Sequence, residues 1–117
     1  MMLSMTNYKF GDVVLVPFPF TDQTTTKKRP AVIVSSVDYQ RERSDVVLIA
    51  VTSQANPATS FGEMTITEWK AAGLIKPSII KPVLTTIDKK LVIKKLGQLQ
   101  EVDTQTLRNV LQVILGA

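Results

Sequence analysis

The chain reads as a mainly β domain of the α+β kind. The expectation is a small, strongly twisted barrel or half-barrel of about five to seven strands, with one long C-terminal helix and one short internal helix. Three observations predict it. Short runs rich in Val, Ile and Thr recur at Val13–Val16, Ala31–Ser35, Val46–Val51 and Ile79–Asp88, separated by Gly, Pro, Asn and Asp turn signals. Only the last segment keeps a helical period, with Leu107, Val110, Leu111, Ile114 and Leu115 at i, i+3, i+4, i+7 and i+8. No repeat or shift in composition divides the 117 residues, so residues 1–117 are expected to form a single domain.

Taken in order, Gly11-Asp12 signals a turn, and Val13–Val16 is continuously apolar, as in a strand buried on both faces. Pro17-Phe18-Pro19-Phe20 is expected to end its pairing, because proline donates nothing to a ladder. Residues 21–28 are polar and aperiodic and read as a loop. Lys27-Lys28-Arg29-Pro30 then leads straight into the second strand, and Pro30 restricts Arg29 to extended backbone at the point where loop becomes strand. Residues 37–44 form a polar connection with room for one helical turn. Val46–Val51 is the most apolar run and the expected barrel centre, ending abruptly in Thr52-Ser53-Gln54.

Residues 55–62 read as a loop around Asn56-Pro57, and Glu63–Ile66 as a short strand. Thr67 is placed to N-cap a short helix over Glu68–Ala72, with Gly73 as its stop. Trp69 reads as a core or rim packing residue ahead of a stacking platform. Lys76-Pro77-Ser78 leads into the longest strand, in which Pro82 requires an edge or a bulge. Lys89-Lys90 turns the chain into a last strand region over Leu91–Leu99. Asp103 or Thr104 is the expected N-cap of the final helix, which Gly116 closes.

Composition excludes more than it assigns. A net charge of +4 and a pI near 9.5 favour an anionic partner only mildly, since 10 acidic residues are interspersed with 14 basic ones. There is no cysteine, which removes disulfide and thiolate chemistry. There is no histidine, which removes the usual base at neutral pH, the Ser-His-Asp triad and the commonest metal ligand. The carboxylates show no tight cluster, so neither a metal nor another cofactor is expected. The N-terminus has no basic segment followed by a long apolar stretch, and no run approaches the roughly 20 residues of a membrane span. The expectation is a cytoplasmic protein with no membrane partner.

Two stretches can carry chemistry. The cations Lys27, Lys28 and Arg29 sit where a loop joins a rigid strand, a usual home for binding groups, and equally the place for a solvated strand-end charge. Thr52 and Ser53 put hydroxyls at the tip of a buried strand, either as an exit into a turn or as groups facing a site.

These residues resemble the MazF/PemK-type toxins of bacterial toxin–antitoxin pairs. The marks are Gly11 to Phe18, Lys28 to Ser35, Val51-Thr52-Ser53-Gln54, Gly73-Leu74 before Lys76-Pro77-Ser78, Thr86-Ile87-Asp88, and Leu96-Gly97-Gln98-Leu99 before the terminal helix. Each is weak alone, but their order and spacing together are specific and cover nearly the whole chain. The resemblance implies an SH3-like barrel and a homodimer. It also implies a metal-independent endoribonuclease on single-stranded RNA (mRNA), blocked by a cognate antitoxin, with DNA reached only through that antitoxin. The family's arginine before proline matches Arg29, and its strand-end threonine matches Thr52. The chain departs from the family pattern in three places. Thr24 stands where some members have glutamate, Lys28 where some have histidine, and Lys81 and Val83 where some have arginine and aspartate.

Cleavage of RNA without a metal uses the substrate's 2′-hydroxyl as nucleophile and leaves a 2′,3′-cyclic phosphate and a 5′-hydroxyl end. The enzyme must align the attack, neutralise the phosphorane oxygens and manage two protons. Arg29 suits the charge task, since its fork binds two phosphate oxygens and keeps its charge. Thr52 can bond the scissile phosphate or orient the 2′-hydroxyl, and Ser53 can assist. The proton acceptor is open between Asp22, another carboxylate and water. Thr24, Lys27, Lys28 and Lys81 are candidates for holding RNA, Gln54 for reading a base edge, and Phe20 for stacking on a base or closing the barrel rim. The alternatives are a catalytically degenerate RNA-binding protein and a gyrase-binding protein on the same barrel. The gyrase-acting branch resembles a Trp-Gly-Ile ending, whereas this chain ends Leu115-Gly116-Ala117.

Overall fold

Alternation along three neighbouring strands sets the architecture. In β1 (Asp12–Phe18), Val13 faces one way and Val14 and Val16 the other. In β2 (Lys27–Ile33), Val32 opposes Ala31 and Ile33. In β3 (Asp45–Ser53), Ile49 and Val51 oppose Val46 and Leu48. Both sets are buried, so a continuous apolar run serves two cores with the ordinary period of two. A computed structural model of the chain describes residues 7–18 and 27–117.

The remaining elements are α1 (Val37–Glu42), β4 (Met64–Thr65), β5 (Ser78–Asp88), β6 (Lys94–Gln98) and α2 (Glu101–Leu115). The strands form one antiparallel sheet in the order β4-β5-β3-β2-β1-β6, curled into the expected SH3-like half-barrel. One core, with Val13, Val32, Ile49, Ile80 and Leu99, is covered by Leu107 of α2. The other, with Val14, Ile33 and Leu48, is closed by Tyr8 and Ile87. Each fully buried Ile or Leu contributes about 1.5–3 kcal/mol. The amphipathic stripe of α2 is buried at Leu107, half-buried at Val110, Leu111 and Ile114, and exposed at Leu115.

Pro82 sits in a bulge, as expected: β3 and β5 pair Ile49 with Leu84 and Val51 with Ile80, so residues 81–83 oppose Ala50 alone. Other expectations need correction. β1 continues through Pro17 to Phe18, pairing with Lys28 and Lys27. Proline is tolerated there because β6 pairs β1 only over Asp12–Leu15, so that among the described residues no strand pairs the far side of Pro17. β2 begins at Lys27, inside the expected loop, and stops at Ile33 before Ser35.

The short helix is α1, where the Ser36 hydroxyl accepts the Tyr39 N–H at 3.0 Å. Residues 67–73 form turns instead, with Gly73 N–H bonded to the Lys70 carbonyl and Leu74 N–H to that of Trp69. Asp103 does not cap α2. The helix starts at Glu101, with Gln100 as N-cap and no side-chain cap. Asp103 is 2% exposed and reaches across to the turn, where its carboxylate accepts Thr67 N–H (3.0 Å), Thr67 O–H (2.6 Å) and Glu68 N–H (2.9 Å). Behind that turn, Gly73 meets Gly97 of β6. A Cβ on Gly97 would lie 2.3 Å from the Ala72 carbonyl oxygen, so only glycine fits.

Candidate functional site

The site arises where a ladder stops. β2 and β3 pair at Ala31–Ala50, Val32–Ile49 and Ile33–Leu48 and no further. The same register carried on would set Pro30 against Val51, Arg29 against Thr52 and Lys28 against Ser53. Those rungs do not form. Pro30 has no N–H to offer, and β3 runs on instead with β5, pairing Thr52 with Ile79 and Ser53 with Ser78. The two strands part, and an open cavity of about 310 Å³ lies between them.

Lys28, Arg29 and Pro30 line one side of the cavity, Thr52 and Ser53 another, and Leu74 to Lys76 and Ser78 the rest. Arg29 and Thr52 are half-buried, and Lys28 and Ser53 are exposed. Three cations and no carboxylate appear among the described lining residues, so the cavity favours an anion. Within the described residues, the hydroxyls of Thr52 and Ser53 make no hydrogen bond to protein, which leaves them to a ligand. The chemistry on offer is a guanidinium fork, two ammonium groups and two hydroxyls around a space that admits a phosphodiester.

The structure thus brings together Arg29, Thr52, Ser53 and Lys28. It places Lys27 at the last β1–β2 rung, opposite Phe18, exposed and away from the cavity lining. Gln54 lines a neighbouring cavity, with its side-chain N–H on the Asn56 carbonyl at 3.0 Å. Lys81 lies outside both linings and pairs with Glu63 at 3.1 Å. Phe20, Asp22 and Thr24 fall outside the described residues. Sequence reasoning gave no role to Lys76. The signal was present, a lysine before Pro77 in a stretch that matched the family, but its approach to Arg29 depends on how the chain returns along β5. Ile75, 88% exposed at the same cavity, was missed likewise.

Comparison with known proteins bears on the family and the fold. A model of the PemK-like, MazF-like toxins of type II toxin–antitoxin systems matches residues 9–115. Among solved structures, the chain is similar to an endoribonuclease in complex with its cognate antitoxin from a mycobacterial species. That likeness has 17% identity and a TM-score of 0.74, and covers 93% of this chain and 95% of the other. It is similar to MazF from Deinococcus radiodurans, with 19% identity, a TM-score of 0.73, and 97% and 100% covered. It is also similar to the Mycobacterium tuberculosis toxin MazF-mt6, with 15% identity, a TM-score of 0.72, and 90% and 96% covered. A search of curated proteins found no match. At these identities the solved structures speak for the fold, and the match over nearly the whole length speaks for the family: this chain belongs to the PemK-like, MazF-like toxins of type II toxin–antitoxin systems.

Proposed function

We propose that the protein is an endoribonuclease toxin that cuts single-stranded RNA, mRNA included, and so inhibits translation and growth. One observation carries the reading: Arg29 and Thr52 line the same open cavity, with Lys28 and Lys76 as added positive charge and no carboxylate among its described residues. The names of the similar endoribonucleases support it.

In the proposed reaction the substrate's 2′-oxygen attacks phosphorus and the bond to the 5′-oxygen breaks. The proton of the 2′-hydroxyl passes to water or a carboxylate, Asp22 being the candidate nearest Arg29 in sequence. The leaving 5′-oxygen takes a proton from water. Arg29 binds the two non-bridging oxygens, whose charge grows in the phosphorane, and Thr52 and Ser53 orient the attack. No metal enters this scheme.

A similar protein was solved with its cognate antitoxin, and this toxin is proposed to be held in check by an antitoxin laid over the same cations. It is proposed to act as a homodimer. Phe61, 84% exposed, and Val113, 57% exposed, line an apolar groove beside α2 that a second copy can cover.

The test is to incubate the purified chain with single-stranded RNA in EDTA and identify the new ends. Cyclic phosphate and 5′-hydroxyl ends are expected. RNA bound and left whole under all sequences tried would contradict the reading and leave a binder without chemistry.

A further inference from the structure

Beside the cationic cavity lies a second one of about 370 Å³, within the range of small-ligand sites at about 300–1,000 Å³. The two are contiguous: Ser78 lines both, Ser53 lines the first and Gln54 the second. Gln54 N–H donates to the Pro77 carbonyl at 2.9 Å, just beyond the last β3–β5 rung, and this bond forms the sill between them. Trp69 is part of the second wall. Its body packs on the core and the residue is half-buried, so the ring is fixed rather than swinging in solvent. The Lys70 ammonium lies 5.6 Å from the ring centroid.

Around this ring stand amide groups. Gln54 uses its side-chain N–H on Asn56 and keeps its carbonyl oxygen, and the exposed Asn56 offers both a donor and an acceptor. The wall itself is immobilised from behind. Thr67, two residues before Trp69, is held by the buried Asp103, and Thr65 accepts the Ala58 N–H at 2.9 Å. A flat aromatic ring, amides that meet a polar edge, a nearby cation and a wall shared with an anion-binding cavity together fit one chemical object. That object is an unpaired nucleobase whose phosphate lies next door.

We propose that this cavity is a base-binding subsite, in which Trp69 stacks the nucleobase adjacent to the scissile phosphodiester and Gln54 and Asn56 contact its edge. The proposal rests on the RNA reading above and extends it from cutting to specificity. Thr52 in β3 and Gln54, the first residue past its end, are two residues apart, about 7 Å for extended chain, a separation that one nucleotide spans. The subsite selects by shape and edge, whereas Arg29 and Lys28 meet a backbone that every sequence shares.

Trp69 is the chain's one tryptophan, so its emission reports on this cavity alone. The test titrates the full-length chain with a short randomised 2′-O-methyl RNA pool, which resists cleavage because the attacking hydroxyl is masked. The tightest-binding sequence is then remade with one abasic position at a time. Trp69 emission is expected to change on binding. A single abasic position should abolish that change and weaken binding about 5- to 100-fold. Trp69→Leu should weaken the intact RNA by a similar factor and be indifferent to that abasic position, while Trp69→Phe restores part of the affinity. The abasic series uses the unaltered chain, so it stands even if Trp69→Leu folds poorly. RNA that binds without any change in emission, or affinity indifferent to every abasic position, overturns the subsite and leaves the nuclease reading intact. An acidic peptide that shifts the emission while RNA does not overturns it in favour of a peptide seat. Failure of the wild type both to bind and to cut RNA overturns both.

Discussion

Two groups of polar side chains sit at the ends of elements in this fold and are used in opposite ways. Asp103 is buried, and its carboxylate is occupied by three hydrogen bonds from Thr67 and Glu68, so it clasps the turn to α2. Thr52 and Ser53 sit at the tip of a strand that its neighbour has left; both line a cavity, and among the described residues their hydroxyls bond no protein group. A polar group spent on the chain's own backbone stabilises the fold, and one held on a rigid strand without such a bond is available to a ligand. Residue type alone does not separate them, because both regions are short polar stretches beside apolar runs.

The widest separation between the two regions is expected from Arg29→Ala. Cleavage should fall roughly 10²–10³-fold in the folded variant, as when one transition-state donor is deleted. A decrease below threefold in the folded variant would erase the distinction. Asp103→Ala should do the reverse. It removes three part-buried hydrogen bonds that tie the turn to α2, and chemical denaturation should register a loss of about 1–3 kcal/mol. Wild-type stability in that variant would mean that the clasp is ornamental.

A smaller effect sharpens the cavity's side of the contrast. Lys28→Gln should weaken RNA binding about equally for all sequences and reduce the slope of log affinity against log salt by about 0.7, the value for one contact to a single strand. An unchanged slope would place Lys28 off the backbone. The smallest effect lies at an exposed pair remote from both regions. The Arg43 guanidinium beside Asp45, bonded at 3.0 Å, holds the Asp45 carboxyl below the usual carboxylate range. Its contribution to stability is present above the unfolded-state value of about 3.9 and is lost as pH falls below it toward the depressed folded value. Melting curves of the wild type and Asp45→Asn should therefore converge in acid. Curves that stay parallel would contradict the pairing.

Much of this was legible in the sequence, for reasons that can be named. Strand runs, the bulge at Pro82 and the terminal helix are written in local composition, and the family marks singled out Arg29 and Thr52, which line one cavity. What was not legible is what long-range contacts decide. Pro17 looks like a terminator until β6 is seen to stop short of it. Thr67 looks like its own cap until Asp103, 36 residues on, takes that role. Lys76 and Trp69 acquire their surroundings only when the return of β5 sets Ser78 beside Ser53. The register that puts Arg29 opposite Thr52 follows from pairing further along the same two strands, and no local pattern encodes it.

The account stands on where RNA sits. Amide chemical-shift mapping with a short single-stranded RNA, blocked by 2′-O-methylation, measures that directly. The largest shifts are expected at Lys28, Arg29, Thr52, Ser53 and Lys76. Shifts gathered at the other basic stretches, Lys89-Lys90 and Lys94-Lys95, with the cavity between β2 and β3 unmoved, would contradict it.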